Sequence, residues 1–144
     1  MYPKKIKFED FNGVEREQTF YFHLMESELL ELQASIGGEG FTDYVKRIID
    51  ASDTPKLAEL FKKLILMSYG EKSDDGSMFI KNDPVRGRLA DLFAQTNAYS
   101  ELYVSLISDE NEAIEFFNRV IPAKLADRVQ EQNGHSYPPS VQKV

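Results

Sequence analysis

The side chains that could do chemistry in this chain are few and scattered. Its two histidines, His23 and His135, are far apart, and neither has a second His or a Cys at a spacing used for metal ligation. Cysteine is absent, which removes disulfides, thiolate nucleophiles and Cys-based zinc sites. The nearest approach to a metal loop lies around Gly76. There Glu71, Ser73 and Asp75 fall on alternate positions ahead of the glycine, as calcium-loop ligands do. The position that should hold the closing bidentate Glu is Asn82, so the segment reads as a solvated polar loop. No serine sits in a G-x-S-x-G elbow. The run Gly37, Gly38, Gly40 carries Glu39 and no following Lys-Ser/Thr, so it is not a phosphate cradle. With 24 acidic side chains, nothing selects one carboxylate pair for acid–base work. No catalytic residue, cofactor or metal is expected, and the chain reads as a non-enzyme.

What these residues hang on is a chain of 144 residues, 42% apolar, with ten Phe, seven Tyr and no Trp. That length supports one core, and the expectation is a single domain over 1–130 with much of its interior built from aromatic rings. The net charge of −7 repels phosphate and argues against nucleic acid as a partner. The opening MYPKKIKFED interleaves lysines with acids instead of leading into an apolar run, so it is not a signal peptide. No segment approaches the roughly 20 apolar residues of a membrane helix, and a membrane partner is not expected.

The expected fold class is mainly α (α+β), an N-terminal β-hairpin packed on a bundle of short amphipathic helices. Ile6 and Phe8 alternate with Lys5, Lys7 and Glu9, and Phe20, Phe22 and Leu24 alternate with Tyr21 and His23. This period of two predicts a hairpin over about 4–24, with Asn12–Gly13 in a type I′ turn and arms of unequal length that leave room for a bulge. Helices follow over about 26–130. Glu26 to Ile36 carries Leu29, Leu32 and Ile36, and the next stripe is Phe41, Tyr44, Val45, Ile48 and Ile49. Thr54 as cap with Pro55 opens a third helix, ending near Tyr69 and Gly70. After the polar loop Tyr69 to Lys81, Asp83 and Pro84 repeat the cap-then-proline start, ahead of Val85, Leu89, Leu92 and Phe93. Thr96 or Asn97 caps a helix carrying Tyr99, Leu102, Tyr103 and Leu106. Ser108 or Asp109 caps another carrying Ala113, Phe116, Phe117, Val120 and Ile121, with Glu112 placed for a capping box. Pro122 ends that helix or starts a last turn through Leu125 and Val129, and 131–144 reads as a mobile tail.

The order of several blocks carries the functional expectation. IKFEDFNGVEREQTFYFHL, FTDYVKRIIDA, LILMSYGEKSDDGSMFIKND and FAQTNAYSELYVSLISDENEAIEFFNRVIP, covering about Ile6 to Pro122, together resemble the tail assembly chaperones of long-tailed bacteriophages and prophages of Gram-positive hosts. The resemblance implies a protein of the host cytoplasm that coats the helix-rich tape measure protein, keeps it soluble and recruits tail tube subunits. It also implies absence from the finished virion, possible self-association, and a longer product made by a ribosomal frameshift near the end of the reading frame. The partner-binding candidates are Tyr99, Tyr103, Phe116 and Phe117, because tyrosine and other aromatics combine large rigid area with low ordering cost. A neck or tail-completion component retained in the virion is the alternative for the same acidic, helical build.

Overall fold

The computed structural model describes residues 1–35 and 40–121. Its elements run β1 (Tyr2–Glu9), β2 (Glu15–Phe22), α1 (Glu26–Ser35), α2 (Phe41–Asp50), α3 (Thr54–Ser68), β3 (Tyr69–Lys72), β4 (Phe79–Ile80), β5 (Asn82–Asp83), β6 (Gly87–Arg88), α4 (Leu89–Phe93), α5 (Asn97–Ser108) and α6 (Glu110–Val120). The fold is α+β with an N-terminal hairpin, as the sequence indicates. Its residues group into two compact units, 1–23 with 58–120, and 24–57 with 121. The expected last turn after Pro122, the tail 131–144 and His135 lie outside the described residues.

In the first unit β1 and β2 pair antiparallel from Tyr2↔Phe22 to Glu9↔Glu15. The arms are therefore equal in length, because β1 starts at Tyr2 and not at Lys4. Tyr2, Ile6, Phe8, Phe20 and Phe22 are buried. The turn is not type I′. Gly13 N–H donates to the Asp10 carbonyl (3.0 Å) and Asp10 N–H to that of Val14 (2.8 Å), while Gly13 has φ +78°. That is a three-residue loop ending in a left-handed glycine. Asp10 explains the choice: its Oδ1 accepts the N–H groups of Asn12 and Val14, both at 2.9 Å, and its Oδ2 accepts Arg16 Nε at 2.6 Å.

The bond from Arg16, then the amides of Val14 and Asn12, hold the Asp10 carboxyl below the usual carboxylate range. A depressed folded-state pKa means that this turn's contribution is complete above the unfolded value and is lost as pH falls through the folded one. In NMR titrations the Asn12 and Val14 amide shifts should move together, at a midpoint more acidic than that of an ordinary exposed carboxylate. Asp10→Ala should abolish that transition. Amide shifts that stay flat across it in the parent protein would refute the assignment.

The sheet continues through the segment expected to be a polar loop. β3 pairs antiparallel with β2 and with β4, giving the order β1-β2-β3-β4. Strands this short show no period of two, which hid them. A second correction concerns Asp83–Pro84. Asp83 Oδ1 accepts the N–H groups of Val85 (2.7 Å) and Arg86 (3.1 Å), and Gly87 at φ +81° turns the chain into the β5–β6 ribbon. The helix begins only at Leu89, and Val85 is 93% exposed instead of part of a buried stripe. Arg86 ties the ribbon to β3, reaching Glu71 Oε1 at 2.8 Å and Asp83 Oδ2 at 3.3 Å.

Helix starts follow local capping. Glu28 Oε1 accepts Met25 N–H at 2.9 Å, half of a capping box, and α1 buries Leu29 and Leu32. Phe41, Val45 and Ile48 form the buried stripe of α2. The cap of α3 is Asp53, one residue earlier than expected: its Oδ1 accepts Lys56 N–H at 3.2 Å, which leaves Thr54 and Pro55 within the first turn, where proline is tolerated. Leu60, Phe61, Leu64 and Ile65 are buried along α3. Thr96 caps α5, accepting Tyr99 N–H at 3.2 Å, and Asp109 caps α6 through Asn111 N–H at 3.0 Å. Glu112 does not close a capping box. The Asp109 N–H already donates to Ser105, and Glu112 pairs with Lys4 Nζ at 2.8 Å. No helix among the described residues is long and apolar enough to cross a membrane.

Candidate partner-binding site

The four aromatic candidates do not share one face. On α5, the buried stripe Ala98, Leu102 and Leu106 fixes the helix and leaves Tyr99 and Tyr103 half-buried beside it. One turn apart, their rings stack at 5.9 Å with planes 21° from parallel. Tyr99 also meets Phe93 edge-on at 5.9 Å. Behind Phe93 the rings continue inward, stacked on Tyr69 at 4.3 Å and against Phe20 at 5.1 Å and Phe22 at 5.8 Å. The pair is thus the outer end of a column of rings that starts in the core. Burial, then the electrostatic influence of Tyr103, pushes the Tyr99 phenol up from its ordinary value, so Tyr99 presents a neutral hydroxyl.

Phe116 and Phe117 belong to the interior. Phe116 is 1% exposed and Phe117 8%, and Phe116 packs on Phe22 at 5.3 Å and on Tyr2 at 5.9 Å. Arg119 lies over the Tyr2 ring, its guanidinium carbon 4.7 Å from the centroid. Phe116 thus attaches α6 to the hairpin, and both buried rings can touch a partner only if the unit opens. On these last helices three large apolar side chains reach solvent, each more than 40% exposed: Leu92 on α4, which the sequence places in a buried stripe, and Val104 on α5 and Ile114 on α6, which were not singled out from the sequence. The signal for Val104 and Ile114 was their offset from the buried stripe. Val104 sits between Leu102 and Leu106, and Ile114 follows Ala113 out of register with Phe117.

A second feature is an open groove of about 430 Å³ along β1, bounded by Lys5 and Lys7 on one side and by Glu101, Ser105, Ser108 and Asp109 on the other. The Lys4–Glu112 ion pair lies in it. Neither feature assembles a reactive set. Asp75, the centre of the calcium-like spacing, accepts Ser73 Oγ, Ser77 N–H and Ser77 Oγ within its own turn, at 2.8 to 3.0 Å. His23 lies edge-on to Phe79 at 5.7 Å. Among the described residues no three His, Cys, Asp or Glu side chains are placed to hold a metal ion.

Compared with known proteins, residues 1–144 match a family model described as phage tail assembly chaperone. No curated protein and no solved structure matches the chain.

Proposed function

Since the chain belongs to the phage tail assembly chaperone family, which its whole length matches, we propose that it binds and solubilises the tape measure protein and recruits tail tube subunits during tail morphogenesis. It acts in the cytoplasm of the bacterial host, without catalysis, and leaves before the virion is complete. The full-length family match is the observation that carries this reading. The surface supports it. A tape measure chain exposes long apolar helical stripes before assembly, and such stripes are shielded by helix-in-groove packing. The half-buried Tyr99–Tyr103 pair, flanked by exposed Val104, offers a face of that chemistry. Many copies, each weakly held, would retain one long client by avidity and still release it to competing tube subunits. The excess of acid keeps the loaded complex apart from others.

Co-expression with the product of the long, helix-rich reading frame expected downstream tests the proposal. A soluble complex with many copies per client is the expected result. An insoluble client, with this chain eluting alone and later found in purified virions, would identify a retained neck or tail-completion component instead. Within the complex, the partner-binding proposal narrows to Tyr99 and Tyr103, with Phe116 and Phe117 acting from the core. Tyr103→Glu should leave the thermal midpoint nearly unchanged, since the side chain is part-exposed, and lower soluble client severalfold by placing a charge in an apolar contact. Unchanged client solubility would remove Tyr103 from the binding face.

A further inference from the structure

The open edge of β1 has the features of a strand-accepting site. In the sheet order β1 is terminal, and the direction of each of its backbone groups is fixed by alternation. Asp10 N–H donates to Val14, so the even-numbered residues of β1 face β2 across the register of the hairpin. The odd-numbered residues, Pro3, Lys5, Lys7 and Glu9, turn their backbone groups outward. Two observations agree with this. The Glu9 carbonyl is met from outside the hairpin by Asn97 Nδ2 at 2.8 Å, and Pro3, which has no N–H to offer a ladder, occupies an outward position.

Between these two ends Lys5 and Lys7, whose backbone groups turn outward, are among the residues that line the groove described above. A strand rises about 3.3 Å per residue, so the edge from Pro3 to Lys7 spans roughly 13 Å. That is room for a short extended segment, and α5 supplies the opposite wall through Glu101, Ser105 and Ser108.

Charge selects the occupant. Lys5 and Lys7 are exposed on the outer face, and Glu17, opposite Lys7 on β2, is a loose 3.9 Å away. A second copy of the chain paired antiparallel about Ile6 would set Lys5 against Lys7 of that copy, and a parallel in-register pairing would also crowd like charges. Lysines and a proline on an edge oppose self-pairing in this way. A strand with Asp or Glu at the positions beside Lys5 and Lys7 is attracted instead. Small uncharged residues between those acids would face the serines of α5 without adding charge near Glu101 and Asp109.

We infer that the open edge of β1 adds, as an extra antiparallel strand, an extended segment of a partner protein bearing acidic residues at alternate positions. Main-chain hydrogen bonds from Lys5 and Lys7 hold it and their ammonium groups set its register. This contact is extended, so it is separate from helix packing on the tyrosine pair and does not depend on which tail protein supplies the segment.

The test is an NMR titration of the full chain with a short acetylated and amidated peptide alternating Glu with Ser and Val. The Lys5 and Lys7 amides should shift and become protected from exchange. Lys7→Pro removes an outward N–H without touching the β1–β2 ladder, as Pro3 already does, and should weaken binding about tenfold or more. Lys7→Gln keeps that N–H and should cost only about two- to threefold at low salt. The inference is overturned if Lys7→Pro, still folded, binds as tightly as the parent, or if the parent's Lys5 and Lys7 amides exchange at unchanged rates with peptide bound. Equal affinity for the same peptide with Lys in place of Glu would overturn the charge assignment.

Discussion

Phe22→Ala is expected to destabilise the first unit by about 3–5 kcal/mol, the range for removing a fully buried aromatic ring. Phe22 has no exposed surface and meets three other rings: Tyr69 at 5.7 Å, Phe93 at 5.8 Å and Phe116 at 5.3 Å, all edge-on. Those three come from β3, α4 and α6, so one side chain of the hairpin joins elements far apart in sequence. Edge-to-face pairs contribute about 0.5–1.5 kcal/mol each beyond area burial, which places the loss toward the top of the range. Domains are stable by only about 5–15 kcal/mol; a change of this size should shift the urea midpoint strongly. Phe11→Ala is the matched control. That ring, at the hairpin tip, is 80% exposed, and its removal should stay within about 0.5 kcal/mol. If the two variants unfold at similar urea concentrations, the ring column is not what holds the unit together.

A functional consequence follows from the same geometry. Phe93 touches both Phe22 and Tyr99, so loosening the core removes the backing of the tyrosine pair. Phe22→Ala should lose client solubilisation together with stability, whereas Tyr103→Glu should lose it alone. The contrast distinguishes a residue that supports the face from one that forms it.

The hairpin and the helices with complete apolar stripes were legible in the sequence because side-chain period is dictated by backbone geometry. Phe41, Val45 and Ile48, or Ala113, Phe116, Phe117 and Val120, leave little choice of structure. Segments governed by single hydrogen bonds were not legible. Whether Asp83 starts a helix or folds onto Val85 and Arg86 depends on which amides its carboxylate meets, and both outcomes begin with the same Asp-Pro pair. Asp53 displaced Thr54 as a cap for the same reason, and Glu112 left its capping role for Lys4, a residue 108 positions away. β3 and β4 were missed because strands of four and two residues owe their existence to the strand each pairs with, β2 for β3 and β3 for β4, more than to their own side chains.

The candidate site divides along the same line. Tyr99 and Tyr103 at i and i+4 could be read as one surface patch, and they stack as one. Phe116 and Phe117 could not be placed by type alone, since aromatic residues are chosen for interfaces and for cores by the same large apolar area. Their membership of the α6 stripe was the better guide, and it pointed inward. The open edge of β1 was visible only once the strand order was known.

Gly70→Ala should be nearly as damaging as Phe22→Ala although it adds one methyl group. Gly70 lies in β3 with a buried backbone. A Cβ there would stand 2.5 Å from Phe79 Cε2 and 2.6 Å from the Ile80 carbonyl oxygen, both well inside van der Waals contact. The ring can rotate away, but the carbonyl cannot. Ser73 N–H donates to the Met78 carbonyl, so by alternation the Glu71–Ile80 pair is also hydrogen-bonded, and Ile80 O is its acceptor. Relief therefore requires β4 to move off β3, adding loss of ladder bonds to an overpacking cost of about 1–3 kcal/mol. The expected signature is local: faster exchange at Glu71 and Ser73, a lower thermal midpoint and an unchanged β1–β2 ladder. A double-mutant cycle decides which obstacle matters. If the carbonyl is the obstacle, Gly70→Ala remains destabilising in a Phe79→Ala background by nearly the same amount. If removing the ring restores stability, the close approach is a side-chain constraint, and glycine is required at this position only because of the phenylalanine opposite.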